Sequence, residues 1–464
     1  MSLLIVGLDN TIVNVALPSI RHDLNASVSG LQWTVDAYTL VLAALLMLAG
    51  STADRVGRRR IFQIGLLTFS AGSLLCSLAP SLGWLIAFRA LQALGGSMLN
   101  PVAMSIITNT FTDRTERARA IGIWGAVIGI SLALGPVVGG VLVTSVGWRS
   151  IFWVNVPIGI AAMVLAGLFV PESRAPRARR PDPVGQTLII ALLGSLTYAI
   201  IEGPNSGWSS PEIIGFFVLA AASLAGLIWY EPRRDEPLID LRFFRSIPFS
   251  GATLTAVSAF AALSGFLFLN TLYLQDVRGY SPLHAGLCTL PMAVMTVIFA
   301  PLSGRIVGAR GARLPLLTAG LAITLSCAAL TGLTNTTTLT WLFVTYVIFG
   351  LGFGVVNAPI TNAAVSGMPV AQAGVAAGVA SASRQVGQSL GVAIVGSVVT
   401  SGLHGSLHTS FATASHLGWW ILTGCGGLVL VLGVLTTSGR ARRSAATVAA
   451  RLQPDETKTP VAAP

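Results

Sequence analysis

The sequence predicts an all-α polytopic membrane protein. Three observations predict it. Of 464 residues, 53% are hydrophobic and only 10% charged, where soluble domains carry roughly 25% charge. Apolar stretches of about 20 residues, enough to cross a bilayer as a helix, recur from end to end. The net charge of +11 comes from basic residues scattered through short connections between those stretches, as orientation in a membrane requires, and not from a patch suited to nucleic acid. Cys76, Cys288, Cys327 and Cys425 all fall inside apolar runs without metal-ligand spacing, so they are expected to pack as small side chains.

Spans are expected at about 2–20, 31–50, 61–80, 83–107, 118–143, 149–170, 185–203, 212–230, 248–272, 282–303, 314–333, 340–363, 373–401 and 417–437, fourteen in all. With the N-terminus cytoplasmic, 23 of the 28 Lys and Arg residues fall on the inner side. Arg21, Arg149 and Arg278 fall outside, and Arg89 and Arg384 lie within spans. Both termini are therefore expected in the cytoplasm. Trp33, Trp84, Trp148, Trp208, Trp341 and Trp419 fall near outer span ends, as an interfacial belt would. Residues 1–20 lack a basic leader and are interrupted by Asp9, Asn10 and Asn14, so they read as a first span and not as a signal peptide. The stretch 438–464 reads as a solvated cytoplasmic tail with little structure.

Two halves are related. "GSTADRVGRRR" (50–60) is matched by "GRIVGARGAR" (304–313), with Gly50, Gly57 and Arg59 answered at constant offset by Gly304, Gly311 and Arg313. The Ser131-to-Gly135 spacing is echoed by Gly387 and Gly391. The expected organisation is a six-helix bundle over 1–170, a linker with two inserted helices over 171–247, a second six-helix bundle over 248–437, and the tail. Parallel repeats of this kind are a transporter architecture.

These motifs resemble the major facilitator superfamily, in its fourteen-span drug:proton antiporter branch. "LDNTIVNVALP" is similar to the branch's first-span motif, "GSTADRVGRRR" to its loop motif, "RALQALGGS" (89–97) to its fourth-span basic motif and "GPVVGG" (135–140) to its fifth-span antiporter motif. "WRSIFWVNVPIG" (148–159) and "LYLQDVRGYSPLHAGLCTLP" (272–291) resemble two further signatures. Ala93 and Ser131 stand where the motifs usually have glycine, and Gly308 replaces Asp54 in the second copy of the loop. The resemblance implies a major facilitator fold, a plasma-membrane location and proton-coupled export of amphiphilic small molecules. A dedicated exporter or importer of one metabolite is the alternative within transport, and a membrane-embedded enzyme or sensor the alternative outside it.

The residues themselves suggest where coupling occurs. An ionisable group at mid-membrane costs about 2.5–3.5 kcal/mol on insertion scales, so it must face a cavity or a partner. Asp9, Asn10, Thr11 and Asn14 fill one arc of the first span, opposite Leu4, Leu8, Ile12 and Val15, and that polar arc is expected to line the central cavity with a protonatable group; a packing hydrogen-bond cluster is the plainer reading. Arg89, Gln92, Gly96 and Asn100 form a second stripe on the fourth span. Asp36 is expected at the depth of Arg89, and making and breaking a carboxylate–guanidinium contact there would load and release a proton; a permanent buried pair is the plainer reading. Arg384, Ser381, Gln388 and Gly391 share a face of the thirteenth span. No Asp or Glu occurs between Asp276 and Asp455, so Arg384 is expected either to pair with Asp9 across the halves in one state and part from it when Asp9 is protonated, to rest on backbone carbonyls, or to bind an electron-rich part of the substrate.

Gly50, Asp54, Arg55, Gly57, Arg58 and Arg59 are expected to form a cytoplasmic gate, with a simple positive-inside anchor as the plainer reading. In the fifth span Gly125, Gly129, Gly135, Gly139 and Gly140 offer small surfaces, and Pro136 removes a backbone donor. The resemblance assigns Gly135, Pro136, Gly139 and Gly140 to the antiporter motif. Glu202 reads as a solvated span end, with a coupling acid as the alternative, and His404, His408 and His416 lack the acids or thiols of a metal site. The chain contains no Walker loop, HExxH or Ser/His/Asp order, so no cofactor is expected and the energy is expected from a gradient. The expected partners are a small-molecule substrate, protons and lipid, with the chain acting as a monomer.

Overall fold

A computed structural model describes residues 2–111, 113–175, 181–366, 370–404 and 407–452. Side chains at several positions between 114 and 133, including Gly125 and Gly129, fall outside that description, as do Arg177, Arg179, Arg180 and Lys458. Among the described residues the regular structure is entirely helical. Hydrocarbon offers a backbone no hydrogen-bond partners, so an apolar chain satisfies its own peptide groups by helix formation.

The first half contains α1 (Ser2–Leu24), α2 (Val28–Val56), α3 (Arg58–Ser77), α4 (Leu82–Thr110), α5 (Arg114–Ser145), α6 (Ser150–Trp153) and α7 (Asn155–Phe169). Two helices follow, α8 (Pro183–Ser206) and α9 (Pro211–Tyr230). The second half contains α10 (Ile247–Leu272), α11 (Pro282–Cys288), α12 (Leu290–Arg310), α13 (Arg313–Leu330), α14 (Leu339–Val365), α15 (Val370–Gly402) and α16 (Leu407–Thr436). Eleven helical segments among the described residues are long and apolar enough to cross a membrane. The long helices α1, α5 and α15, of 23, 32 and 33 residues, pack among them. Helix starts follow local chemistry: Ser27, Asp182 and Ser210 accept the backbone N–H groups of Gly30, Gly185 and Ile213, and Pro183 and Pro211 open α8 and α9.

The internal repeat is visible in the packing. A Cβ on Gly7 of α1 would come 2.8 Å from the Ser131 Cβ of α5, and one turn on, Gly135 abuts Thr11. In the second half Gly387 and Gly391 of α15 abut Val257 and Ala261 of α10 in the same register. Gly57 and Gly311, equivalent by the loop offset, both have positive φ, 132° and 83°, a conformation that glycine reaches without Cβ strain. The inserted helices straddle the seam: Gln186 of α8 donates to the Ala44 carbonyl of α2, while Ser397 of α15 donates to the Ile200 carbonyl of α8.

The halves close against each other at the end that holds the α1–α2 connection. Gln32 donates to the Val392 and Ala393 carbonyls of α15 (3.3 and 2.7 Å), Arg21 meets Asp276 at 3.4 Å, and Gln275 donates to the Val15 carbonyl. Asp23 ties the same end to α6 by accepting from Trp148 and Arg149, and these two donors hold its carboxyl below the ordinary carboxylate range.

Several expectations change. The helix α1 is buried on both arcs, since Leu8, Ile12 and Val15 are as enclosed as Asp9 and Thr11; it is a central helix with no lipid-facing side. Trp84, Trp208 and Trp341 are half exposed as belt residues are, but Trp148 and Trp419 are buried, the latter edge-on to Phe266. The tail is not structureless over its first part. A helix, α17 (Gly439–Leu452), packs Val448 and Leu452 into a cluster with Phe243 and Phe249, and residues from 453 onward lie outside the described chain.

Candidate functional site

Asp9 is the centre of a polar network inside the first half. Its Oδ2 accepts from Arg89 Nη1 at 2.5 Å, and its Oδ1 accepts from Gln92 Nε2 at 2.9 Å and Asn155 Nδ2 at 3.0 Å. Arg89 also donates to Gln92 Oε1 (2.8 Å) and to the Thr34 carbonyl (3.2 Å), and its guanidinium lies 4.2 Å from the Tyr38 ring centre. Ser73 accepts from Gln92 and Asn155 and donates to the Phe152 carbonyl. The side chains of Asp9 and Arg89 are 0% and 1% exposed. Helices α1, α2, α3, α4 and α7 each supply a group, so the ion pair is held by nearly the whole half-bundle. A buried pair needs further hydrogen bonds to offset its desolvation; here Asp9 accepts two besides that from Arg89, and Arg89 donates two besides that to Asp9.

This corrects two expectations. In this conformation Arg89 pairs with Asp9 and not with Asp36, and Asp9 is not available to Arg384. A wheel and a depth leave the facing helix undetermined, and the three-carbon stem of Arg89 carries its guanidinium inward towards α1. Gln92, read as a cavity wall, is fully buried in the network. Asp36 is also fully buried, but it looks across the seam: Thr39 donates to its Oδ1 (3.3 Å), the Ser389 hydroxyl of α15 stands beside it, and its Oδ2 has no partner. Ser73, Tyr38 and Asn155 were missed. Asn155 alone left a signal, as an amide within the apolar part of "WRSIFWVNVPIG".

A glycine ridge on α5 lies one turn from the network. Gly135 abuts Thr11 of α1, a Cβ on Gly139 would come 2.7 Å from the Ile12 side chain, and one on Gly140 would come 2.7 Å from the Leu283 backbone of α11. Gly286 of α11 in turn abuts the Pro136 carbonyl. The ridge therefore joins α1 of one half to α11 of the other, and Ser131 fits in place of glycine because Gly7 faces it.

The remaining polar candidates are less enclosed. Asn10, Asn100, Arg384 and Gln388 are half-buried, and Asn100 Oδ1, Gln388 Oε1 and Arg384 Nε lack hydrogen-bond partners. Asn14 donates to the Asn10 carbonyl. A small cavity at the seam is lined by Thr11, Pro136, Leu263, Met292, Thr296 and Phe353.

At the opposite end, the loop motif binds within its own half. Asp54 pairs with Arg58 at 2.8 Å, Glu172 accepts from the backbone N–H groups of Arg59 and Arg60, and Arg58 N donates to the Ser173 carbonyl. Gly57 is required twice over, by its φ and because a Cβ would strike the Glu172 carboxylate. Gly50 faces Pro101 of α4, where a Cβ would make an ordinary contact at 3.7 Å. The contacts of Asp54, Arg58 and Arg59 described here fasten the α2–α3 turn to the segment after α7; they do not bridge to the second half as a closed gate would. Glu202 is not simply solvated, because it accepts from Trp33 and Asn205. His416 is hydrogen-bonded to the Leu333 carbonyl.

Two related helical halves, closed against each other at one end and with a buried ion pair inside the first, define a membrane carrier. The chain belongs to the Major Facilitator Superfamily, whose family model matches residues 1–392. It falls within the multidrug-resistance and efflux branch. It is 40% identical over 377 residues to the multidrug resistance protein Stp of Mycobacterium tuberculosis, covering 81% of this chain and 70% of that protein. It is 37% identical over 380 residues to the tetracenomycin C resistance and export protein of Streptomyces glaucescens, covering 81% and 70%. Among solved structures, a bacterial homolog to the human lysosomal transporter Spinster, in an inward-facing and occupied conformation, has a TM-score of 0.66 at 18% identity over 96% of this chain and 95% of that one. The peptide transporter POT in complex with sulfate has a TM-score of 0.65 at 18% identity over 96% and 94%; these likenesses concern the fold. The chain is a multi-pass membrane protein and a secondary transporter of small molecules, not an enzyme.

Proposed function

We propose that the chain is a proton-coupled exporter of amphiphilic small molecules, with fourteen spans, both termini cytoplasmic, acting as a monomer in the plasma membrane. Residues 1–170 and 248–437 would rock as two bodies about the central site, with the linker and its inserted helices (171–247) riding the seam. The end bearing the α1–α2 connection is then the outer one, and the closure there makes this conformation inward-facing.

The observation that carries the reading is the Asp9–Arg89 pair and its place beside the ridge. A proton and the Arg89 guanidinium compete for the same Asp9 oxygen, so proton uptake parts the pair and loosens α1 from α4. Thr11 and Ile12, two and three residues along α1, bear on Gly135 and Gly139, so a shift of α1 reaches the contact between α5 and α11. Asp36, set on the seam against Ser389, is the second proton-coupling group. A gradient of one pH unit supplies about 1.4 kcal/mol per proton, and 100 mV about 2.3 kcal/mol per charge. Gly50, Asp54, Arg55, Gly57, Arg58 and Arg59 would keep the α2–α3 turn rigid in this state and engage the second half when the inner side closes.

Purified protein in liposomes containing a pH-sensitive dye tests the proposal. Adding a transported amphiphile should drive proton movement that depends on Asp9. Transport of that amphiphile at full rate with the pH gradient and membrane potential collapsed would remove proton coupling.

A further inference from the structure

Arg384 lies deep within α15, whereas the other charged side chains of the second half, Asp276, Arg278, Arg305, Arg310 and Arg313, lie at or near helix ends. Its Nη2 donates to Thr361 Oγ1 of α14 at 2.6 Å, and its Nε is buried without a partner. Among the described residues it forms no ion pair. Its own half holds a single acid, Asp276, which sits at the α1–α2 end against Arg21, and no Asp or Glu lies between Asp276 and Asp455. The acids of the first half that lie within spans are otherwise engaged: Asp9 is locked to Arg89, and Asp36 stands at Ser389, five residues or ~7.5 Å further along α15.

The surroundings are those of a ligand site. The guanidinium lies 5.9 Å from the Phe260 ring, which packs edge-on against Phe353 at 5.2 Å. Phe353 also lines the small seam cavity with Leu263 and Met292. On the same helix Gln385 and Gln388 each leave an amide oxygen unpaired, and either amide can turn an N–H towards a ligand. An unneutralised guanidinium at this depth is expensive to keep for packing alone, and its planar fork suits two oxygens of one anionic group.

Building on the transporter reading above, we propose that Arg384 anchors an anionic group of the transported molecule. The preferred substrates are then amphiphiles that join a flat apolar body to a carboxylate, sulfonate or acidic phenol. The body lies against Phe260 and Phe353, the anion faces Arg384, and the bound anion supplies the negative charge that Arg384 otherwise lacks.

The test uses the full chain in lipid nanodiscs at neutral pH and a matched pair of fluorescent probes, pyrene-1-carboxylate and its neutral carboxamide, with empty nanodiscs as background. Wild type should bind the acid roughly 10- to 100-fold more tightly than the amide. Arg384→Gln should abolish that preference, and an unchanged thermal melt and elution profile report that the variant is folded. Arg384→Lys, a point charge without the fork, should retain a reduced preference. A wild type that does not distinguish acid from amide, or an Arg384→Gln variant that still does, overturns the proposal. Should Arg384→Gln lose both ligands, the lysine variant decides: recovery of the acid preference upholds the anion site, and its absence makes Arg384 structural. Acid binding in a protein that moves no protons would sink the antiport reading alone and leave this site standing.

Discussion

At the residue scale, the Asp9–Arg89 pair separates stability from coupling. Asp9→Asn leaves an amide that can still accept from Gln92 and Asn155, so the protein should fold and insert while gradient-driven efflux is abolished. Arg89→Gln strands a buried carboxylate, which costs about 3–5 kcal/mol when a buried pair is broken on one side. The double variant Asp9→Asn/Arg89→Gln removes both charges and should regain most of that stability in a detergent melt without regaining transport. If the double variant is no more stable than Arg89→Gln, the pair is not what holds the network together. Much of this centre was legible in the sequence, because a charge inside an apolar run has to be explained: Asp9, Arg89 and Gln92 stand out at once. Their pairing did not, because Asp9 and Asp36 both lie within reach of the Arg89 depth, and only the packing of α1 against α4 decides between them. Asn155 comes from a span with no other polar neighbour on its face, so no periodicity marked it.

At the element scale, the α5 ridge is read from glycine spacing, but its partners are not. Sequence alone places small residues at 135, 139 and 140; that the first two bear on α1 and the third on α11 follows only from the assembled halves. The α11 side adds Gly286, which no motif reading singled out. A Cβ there would overlap the Pro136 carbonyl, a backbone atom that cannot swing aside. Overpacking of this kind costs typically ~1–3 kcal/mol, and that cost falls on the closed conformation alone. Gly286→Ala should therefore raise the population open at the α1–α2 end by roughly 5- to 100-fold. Spin labels on the exposed residues Val146 and His284 would show a longer distance component; an unchanged distribution would mean that the α5–α11 contact does not close that end. The amphipathic α17 was missed for the opposite reason. Its buried stripe of Ala441, Val448 and Leu452 is thin, and an Ala- and Arg-rich composition without a broad apolar face resembles a solvated tail.

At the scale of the whole molecule, transport by rocking requires that the closed end open in every cycle. Besides α5–α11, that end is held by α2 against α15, where Gln32 donates to two α15 carbonyls and its Cγ lies 2.6 Å from the position a Gly396 Cβ would take. A thiol at position 32 would place its sulfur near that Cγ, within bonding reach of a thiol built on residue 396. In a background with Cys76, Cys288, Cys327 and Cys425 replaced by serine or alanine, Gln32→Cys/Gly396→Cys should form a disulfide under mild oxidation. Efflux should fall to the background level when the bond forms and return on reduction, whereas each single-cysteine variant should be insensitive to oxidant. Ligand binding from the open side should survive in the crosslinked protein, because the bond fixes the conformation in which the seam near Arg384 is reached from the opposite end. Full transport by the oxidised, demonstrably crosslinked double variant would show that α2 and α15 never separate, and the two-body rocking mechanism would have to be abandoned.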